Sequence, residues 1–163
     1  MQLTSSNFKP GEKIPVKFTC DSSDISPELR FLNIPEGTKS LALICDDPDA
    51  PVGTWVHWVI FNIPPDLDGL AEKVPTDKNP RVGSDSSYRA IQGINDFGRF
   101  GYGGPCPPRG KAHRYFFKLY ALDIAIEFDA KAIEKGISAA NLMSGMKGHI
   151  IEETSLMGLY GRR

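Results

Sequence analysis

The sequence predicts a mostly β domain with one or two short helices near its C-terminal end. Three apolar runs carry that reading: Ser40 to Cys45, Thr54 to Ile63 and Lys111 to Leu122. They are rich in β-branched and aromatic residues or too short for a typical helix. The 13 prolines and 16 glycines fall in clusters between such runs, the pattern of short strands joined by stiff turns. After Asp123 the hydrophobic period changes from that of a strand to that of a helix.

Taken in order, Lys9-Pro-Gly11 is a turn and Ile14 to Cys20 alternates as a strand would. Cys20 to Pro27 is loop chemistry, with Asp and Ser able to form side-chain turns. Leu29 to Ile34 forms a short strand stopped by Pro35-Glu-Gly37, and Ser40 to Cys45 a central one ended by Asp46-Asp-Pro-Asp-Ala-Pro51. Pro64-Pro65 ends the Thr54 strand, and Pro65 to Gln92 is a long surface connection with at most short strands. Asp129 caps a helix over Ala130 to Lys135, stopped by Gly136. Ser138 caps a second, with Leu142, Met143, Met146 and Ile150 at helical spacing. His149 then falls at a helix end or on the surface.

At 163 residues with 40% apolar and 24% charged residues, the chain reads as one soluble domain spanning 1–163. A net charge of −1 and scattered basic residues leave no footprint for nucleic acid. No apolar run approaches the ~20 residues needed to span a bilayer, and the N-terminal residues have no signal-peptide pattern. Cys20, Cys45 and Cys106 are few and odd in number, against a disulfide framework. The expectation is a cytoplasmic protein with free thiols.

Parity along the strong strands assigns faces. Leu41, Leu43, Cys45 and Asp47 share one; Trp55, His57, Val59 and Phe61 another; His113, Tyr115, Phe117, Leu119 and Ala121 a third. If those faces meet, Asp47, His57, His113 and Tyr115 converge at the end of a hydrophobic core. Imidazole N–H and phenol O–H groups donate to an anion, and a carboxylate orients a histidine. Glycines 101, 103, 104 and 110 would let backbone N–H groups approach the ligand, and prolines 48, 51, 105, 107 and 108 would stiffen the walls. Arg114 falls on the opposite face from His113 and reads as half of an ion pair with Asp49 or Asp47.

Other chemistries fit less well. Two His and one Asp from separate strands lack the close ligand pairs of metal motifs, so neither metal nor cofactor is expected. Cys106 precedes His113, but it stands in a Pro-Cys-Pro corner, and no nucleophile elbow is present.

The segments Asp47-Pro-Asp-Ala-Pro51, Trp55-Val-His-Trp58 and Gly104-Pro-Cys-Pro-Pro-Arg-Gly-Lys-Ala-His-Arg-Tyr115 resemble, in that order, the signatures of the phosphatidylethanolamine-binding protein family, also known through the Raf kinase inhibitor protein. The short Pro51–Trp55 connection and Gly93 to Gly104 are similar to its prokaryotic branch. The resemblance implies an antiparallel, Greek-key-like β-sandwich with a small anion pocket at one end. It implies ligand binding by Asp47, Pro51, His57, Pro108, His113 and Tyr115, with Asp49, Arg114, Gly104 and Pro105 as pocket support. It also implies a cis Ala50–Pro51 bond and makes a homodimer an expectation.

The leading functional expectation is a non-enzymatic binding protein for phosphate or a phosphorylated, headgroup-like ligand, with a possible regulatory role. The alternatives are a module that inhibits a serine protease or kinase, and a weak hydrolase using His113 as base.

Overall fold

A computed structural model describes residues 1–163. In chain order its elements are β1 (Gln2–Thr4), β2 (Leu29–Leu32), β3 (Ser40–Asp47), β4 (Trp55–Ile63), β5 (Gly69–Leu70), β6 (Arg81–Val82), β7 (Tyr88–Arg89), β8 (Ile91–Gln92), β9 (His113–Leu122), α1 (Ala130–Lys135), α2 (Ala139–Met146) and β10 (Ile150–Tyr160).

The three strong runs are neighbours in one antiparallel sheet of order β10-β9-β3-β4-β8. β3 and β4 form a hairpin, and after the long connection β9 returns to pair with the other side of β3, a Greek-key-like crossover. A second antiparallel sheet, β1-β2-β5, faces it. Leu3, Leu29, Phe31 and Leu70 from the small sheet share one buried core with Leu41, Leu43, Trp58, Ile60, Phe117 and Leu119 from the large one. The other face of the large sheet carries Ala42, Ile44, Val59 and Phe61, which pack against Ile137, Leu142 and Met146 of the helical segment. The result is a β-sandwich with two short helices covering part of one outer face.

Both helices have the caps their sequences predict. Asp129 Oδ1 accepts from Ala132 N at 2.7 Å, Ser138 Oγ accepts from Asn141 N at 3.1 Å, and Gly136 ends α1 at φ 109°. The second helix stops at Met146, however, and Ile150 opens an eleven-residue strand where helical spacing had been read. β10 lies at the sheet edge, so its face toward solvent tolerates the polar run Glu152 to Ser155 that hides the strand alternation. His149 falls between the two elements, exposed, with Nδ1 2.8 Å from Asp123 Oδ1.

Ile14 to Cys20 is not a strand. Pro15 leads into a single 3-10 turn at Val16–Phe18, and Ile14 before the turn and Phe18 at its end are both buried. The cysteine expectation also fails. Cys20 and Cys106 form a disulfide with Cα atoms 5.4 Å apart, and Cys45 alone is free and buried. An odd count excludes only complete pairing. Here the Cys20 loop is laid against the Pro105 segment by a Cys20 N–H to Pro105 O hydrogen bond of 3.1 Å. The free-thiol ground for a cytoplasmic location is thereby lost. No helix is long and apolar enough to cross a membrane.

Candidate functional site

β3, β4 and β9 end together, and their ends bring four polar side chains out of water. Asp47 is 3% exposed, His57 3%, His113 8% and Tyr115 0%. They line a cavity of about 210 Å³ with Pro51 and Pro108, so all six residues expected to bind ligand border one space. Ala50, Val52, Trp55, Phe97, Cys106 and Pro107 complete the lining. The volume is below the ~300–1,000 Å³ usual for drug-sized ligands, which suits a small group.

Regular alternation in β9 delivers His113 and Tyr115 to the core side, with Phe117, Leu119 and Ala121 behind them. β4 delivers His57 differently. Its register runs from Cys45↔Trp58 to Asp46↔Val56, leaving His57 as an extra residue in a β-bulge. His57 and the core residue Trp58 therefore lie on the same face, and Val59 and Phe61 turn to the helix-covered side. The predicted face Trp55-His57-Val59-Phe61 is broken at that bulge. Without the extra residue, His57 would follow Val59 away from the cavity.

Each imidazole is held by its Nδ1. His57 Nδ1–H donates to Gly103 O at 2.6 Å, and His113 Nδ1–H to Asp47 Oδ2 at 2.7 Å. Asp47 Oδ1 accepts from Asp49 N at 2.8 Å, which fixes the carboxylate. Burial pushes the His57 imidazole below its ordinary value, against the pull of the Gly103 carbonyl and the Asp47 charge. The Tyr115 hydroxyl is buried without a hydrogen-bond partner. Burial first, and then the Asp47 charge, pushes its ionisation well above the ordinary range, so it remains an O–H donor. Its ring meets His57 edge-on at 5.2 Å, and Phe97 meets His57 from another side at 5.4 Å.

The supporting residues are drawn together too. Asp49 takes a two-pronged contact from Arg114, Nε to Oδ2 at 2.9 Å and Nη2 to Oδ1 at 2.8 Å, and Arg114 N adds a third bond at 2.9 Å. Those bonds hold the Asp49 carboxyl well below the usual carboxylate range. Asp49, not Asp47, is therefore the Arg114 partner.

None of the four glycines lines the cavity, and three of their amides are bonded within the protein. Gly103 N donates to His57 O at 2.9 Å, Gly104 N to Asp24 Oδ1 at 2.7 Å, and Gly110 N to Arg162 O at 3.0 Å. At Gly104 smallness serves close packing: a Cβ there would stand 2.3 Å from Phe18 O and 2.6 Å from Asp24 Oδ1. No peptide bond is cis, which corrects the expectation for Ala50–Pro51. The turn closes with trans geometry, through Gly53 N to Ala50 O at 3.0 Å, with Gly53 supplying a φ of 100°.

Trp55 and Phe97 were not singled out as lining residues, although Trp55 shares the parity of His57. Phe97 carries no strand pattern that would have marked it. Asp24, which holds the Gly104 wall from a residue at φ 55°, gave no signal beyond loop composition. Thiol chemistry has no residue here: Cys106 is bonded to Cys20, and burial pushes the Cys45 thiol well up.

Comparison with known proteins gives the same architecture. The family model described as "Phosphatidylethanolamine-binding protein" matches residues 4–161. A UPF0098 protein of Methanothermobacter thermautotrophicus is 49% identical over 162 residues, covering 99% of both chains. One from Chlamydia trachomatis is 41% identical over 165 residues, covering 98% of both. Among solved structures, a phosphatidylethanolamine-binding protein homologue from Chlamydia trachomatis superposes with a TM-score of 0.83 at 38% identity, over 99% of this chain and 97% of its own. Escherichia coli YbcL, described as a new member of the mammalian PEBP family, gives 0.83 at 35% identity, over 99% and 98%.

Proposed function

Because the chain belongs to the phosphatidylethanolamine-binding protein family, we propose that it is a non-enzymatic binding protein whose cavity takes phosphate or the phosphate of a small phosphorylated molecule. One observation carries this reading. The Tyr115 hydroxyl is buried and unpartnered beside two histidines whose Nε2 atoms make no hydrogen bond within the protein. A buried polar group without a partner is costly, and an oxyanion would accept the phenol hydrogen. When an imidazole is protonated, its Nε2–H becomes a second, charge-assisted donor. Asp47, held by His113 and the Asp49 amide, orients that ring rather than binding ligand directly.

Calorimetric titration of inorganic phosphate into wild type, Tyr115→Phe and His113→Ala tests the reading. Binding by wild type, weakened at least tenfold in both variants, is expected. Absence of binding in wild type, or equal affinity in all three, overturns it.

A second reading rests on the cavity rim. Val52 is 80% exposed and Phe97 37%, and both border the cavity. Such a rim would pack against a protein partner, as in a module that inhibits a protease or kinase. Substitution of Val52 by Asp would then abolish partner capture while leaving phosphate affinity intact.

A further inference from the structure

Resting on that phosphate reading, we infer that the cavity selects an oxyanion that keeps a proton of its own, with His57 as the residue that selects. The ligand class is then hydrogen phosphate or a protonated phosphate monoester, in preference to sulfate or a phosphodiester.

The inference follows from where the histidine hydrogens are. A carbonyl oxygen only accepts, so the 2.6 Å contact between His57 Nδ1 and Gly103 O requires the hydrogen on Nδ1. In the neutral ring, Nε2 is then a bare lone pair. The surroundings of His57 favour that neutral form. Phe97 and Tyr115 meet the ring edge-on, the ring is buried, and desolvation outweighs the opposing charges of Asp47 and Asp24. His113 is likewise held through Nδ1, on Asp47. The Tyr115 hydroxyl is buried with its hydrogen unpartnered inside the protein. The amides of Gly103, Gly104 and Gly110, which would otherwise supply donors, are already bonded within the protein.

A fully deprotonated oxyanion would place oxygen lone pairs against the lone pair of His57. Hydrogen phosphate avoids this: one oxygen accepts from Tyr115 and its O–H donates to His57 Nε2. Sulfate has the same size and charge as hydrogen phosphate but no hydrogen, and a site built around a donated hydrogen bond rejects the analogue that lacks it.

Calorimetry at about pH 8 and matched ionic strength, with inorganic phosphate, sulfate and dimethyl phosphate as probes of wild type, tests the inference without any substitution. Phosphate should bind at least about tenfold more tightly than either competitor. In His57→Gln, whose amide can both donate and accept, the gap between phosphate and sulfate should narrow to a few-fold. Equal affinity of wild type for phosphate and sulfate overturns the selectivity while leaving the anion pocket standing. No binding of either anion overturns the pocket itself, and the selectivity with it.

Discussion

Asp47 and His113 come from adjacent strands and meet inside the fold, Oδ2 to Nδ1 at 2.7 Å, with both residues less than a tenth exposed. The carboxylate has little freedom to leave, because Asp49 N donates to its other oxygen. Asp47→Ala would strand a buried imidazole N–H, and an unsatisfied buried donor costs about 1–3 kcal/mol. Urea denaturation at pH 7.5 should show a loss of that size, with phosphate affinity reduced at least tenfold. A variant as stable as wild type would mean that the contact does not organise the site.

The site was legible where the backbone is regular and illegible where it is not. Along β9, strict alternation placed His113, Tyr115, Phe117, Leu119 and Ala121 on one face, as found. Along β4 the same rule placed His57 correctly but misassigned Val59 and Phe61, because a single extra residue at the bulge inverts the faces beyond it. Of β10 only Ile150 entered the reading, as the end of a helical spacing, because the strand's solvent-facing edge has polar residues where alternation would otherwise show. The Cys20–Cys106 pair spans a sequence separation of 86 and leaves no local pattern. The signature segments located the cavity residues, but which ring nitrogen is left without a protein partner depends on Gly103 O and Asp47, contacts no spacing encodes.

His57 makes stability depend on pH. Its folded-state value is lowered by burial, so the unfolded chain takes up a proton first as pH falls through the ordinary value of ~6.5. Between that value and the lower folded one the unfolded state binds more protons, and stability falls with pH. Thermal melts from pH 8 down to pH 5 should show this acid-side loss in wild type and a smaller one in His57→Gln. Identical pH profiles for the two proteins would remove His57 as the cause.

Gly104 holds the cavity wall through close approach. Its added Cβ would meet the Phe18 carbonyl oxygen at 2.3 Å and Thr19 Cα at 2.9 Å, both on backbone that cannot swing aside like a flexible side chain. Gly104→Ala should therefore cost about 1–3 kcal/mol, the usual range for overpacking. It should also weaken phosphate binding, because the shift pushes the Pro105–Pro108 segment toward the cavity. Gly37→Ala provides a comparison: its Cβ meets nothing within 4 Å, though φ 85° leaves some strain. A larger loss in Gly37→Ala than in Gly104→Ala would contradict the packing account.

The Cys20–Cys106 bond joins the loop after the 3-10 turn to a residue of the cavity lining, across a separation of 86 residues. Arg162 Nη2 also reaches Cys20 Sγ at 3.4 Å and pairs with Asp21, so the C-terminus is fastened to the same corner. Closing a loop of that length removes chain entropy from the unfolded state worth about 4–5 kcal/mol. For a domain of this size each kcal/mol shifts the melting temperature by roughly 2–4 °C. The Cys20→Ser/Cys106→Ser protein should therefore melt roughly 8–20 °C below the oxidised wild type, and reduction of wild type should produce a similar shift. Thiol counting gives an independent check. Denatured without reductant, wild type should expose one reactive thiol, from Cys45, and with reductant three. Three thiols without reductant would place all the cysteines in the free state, and the cavity wall would then rest on hydrogen bonds such as Gly104 N to Asp24 and Cys20 N to Pro105 O without a covalent link.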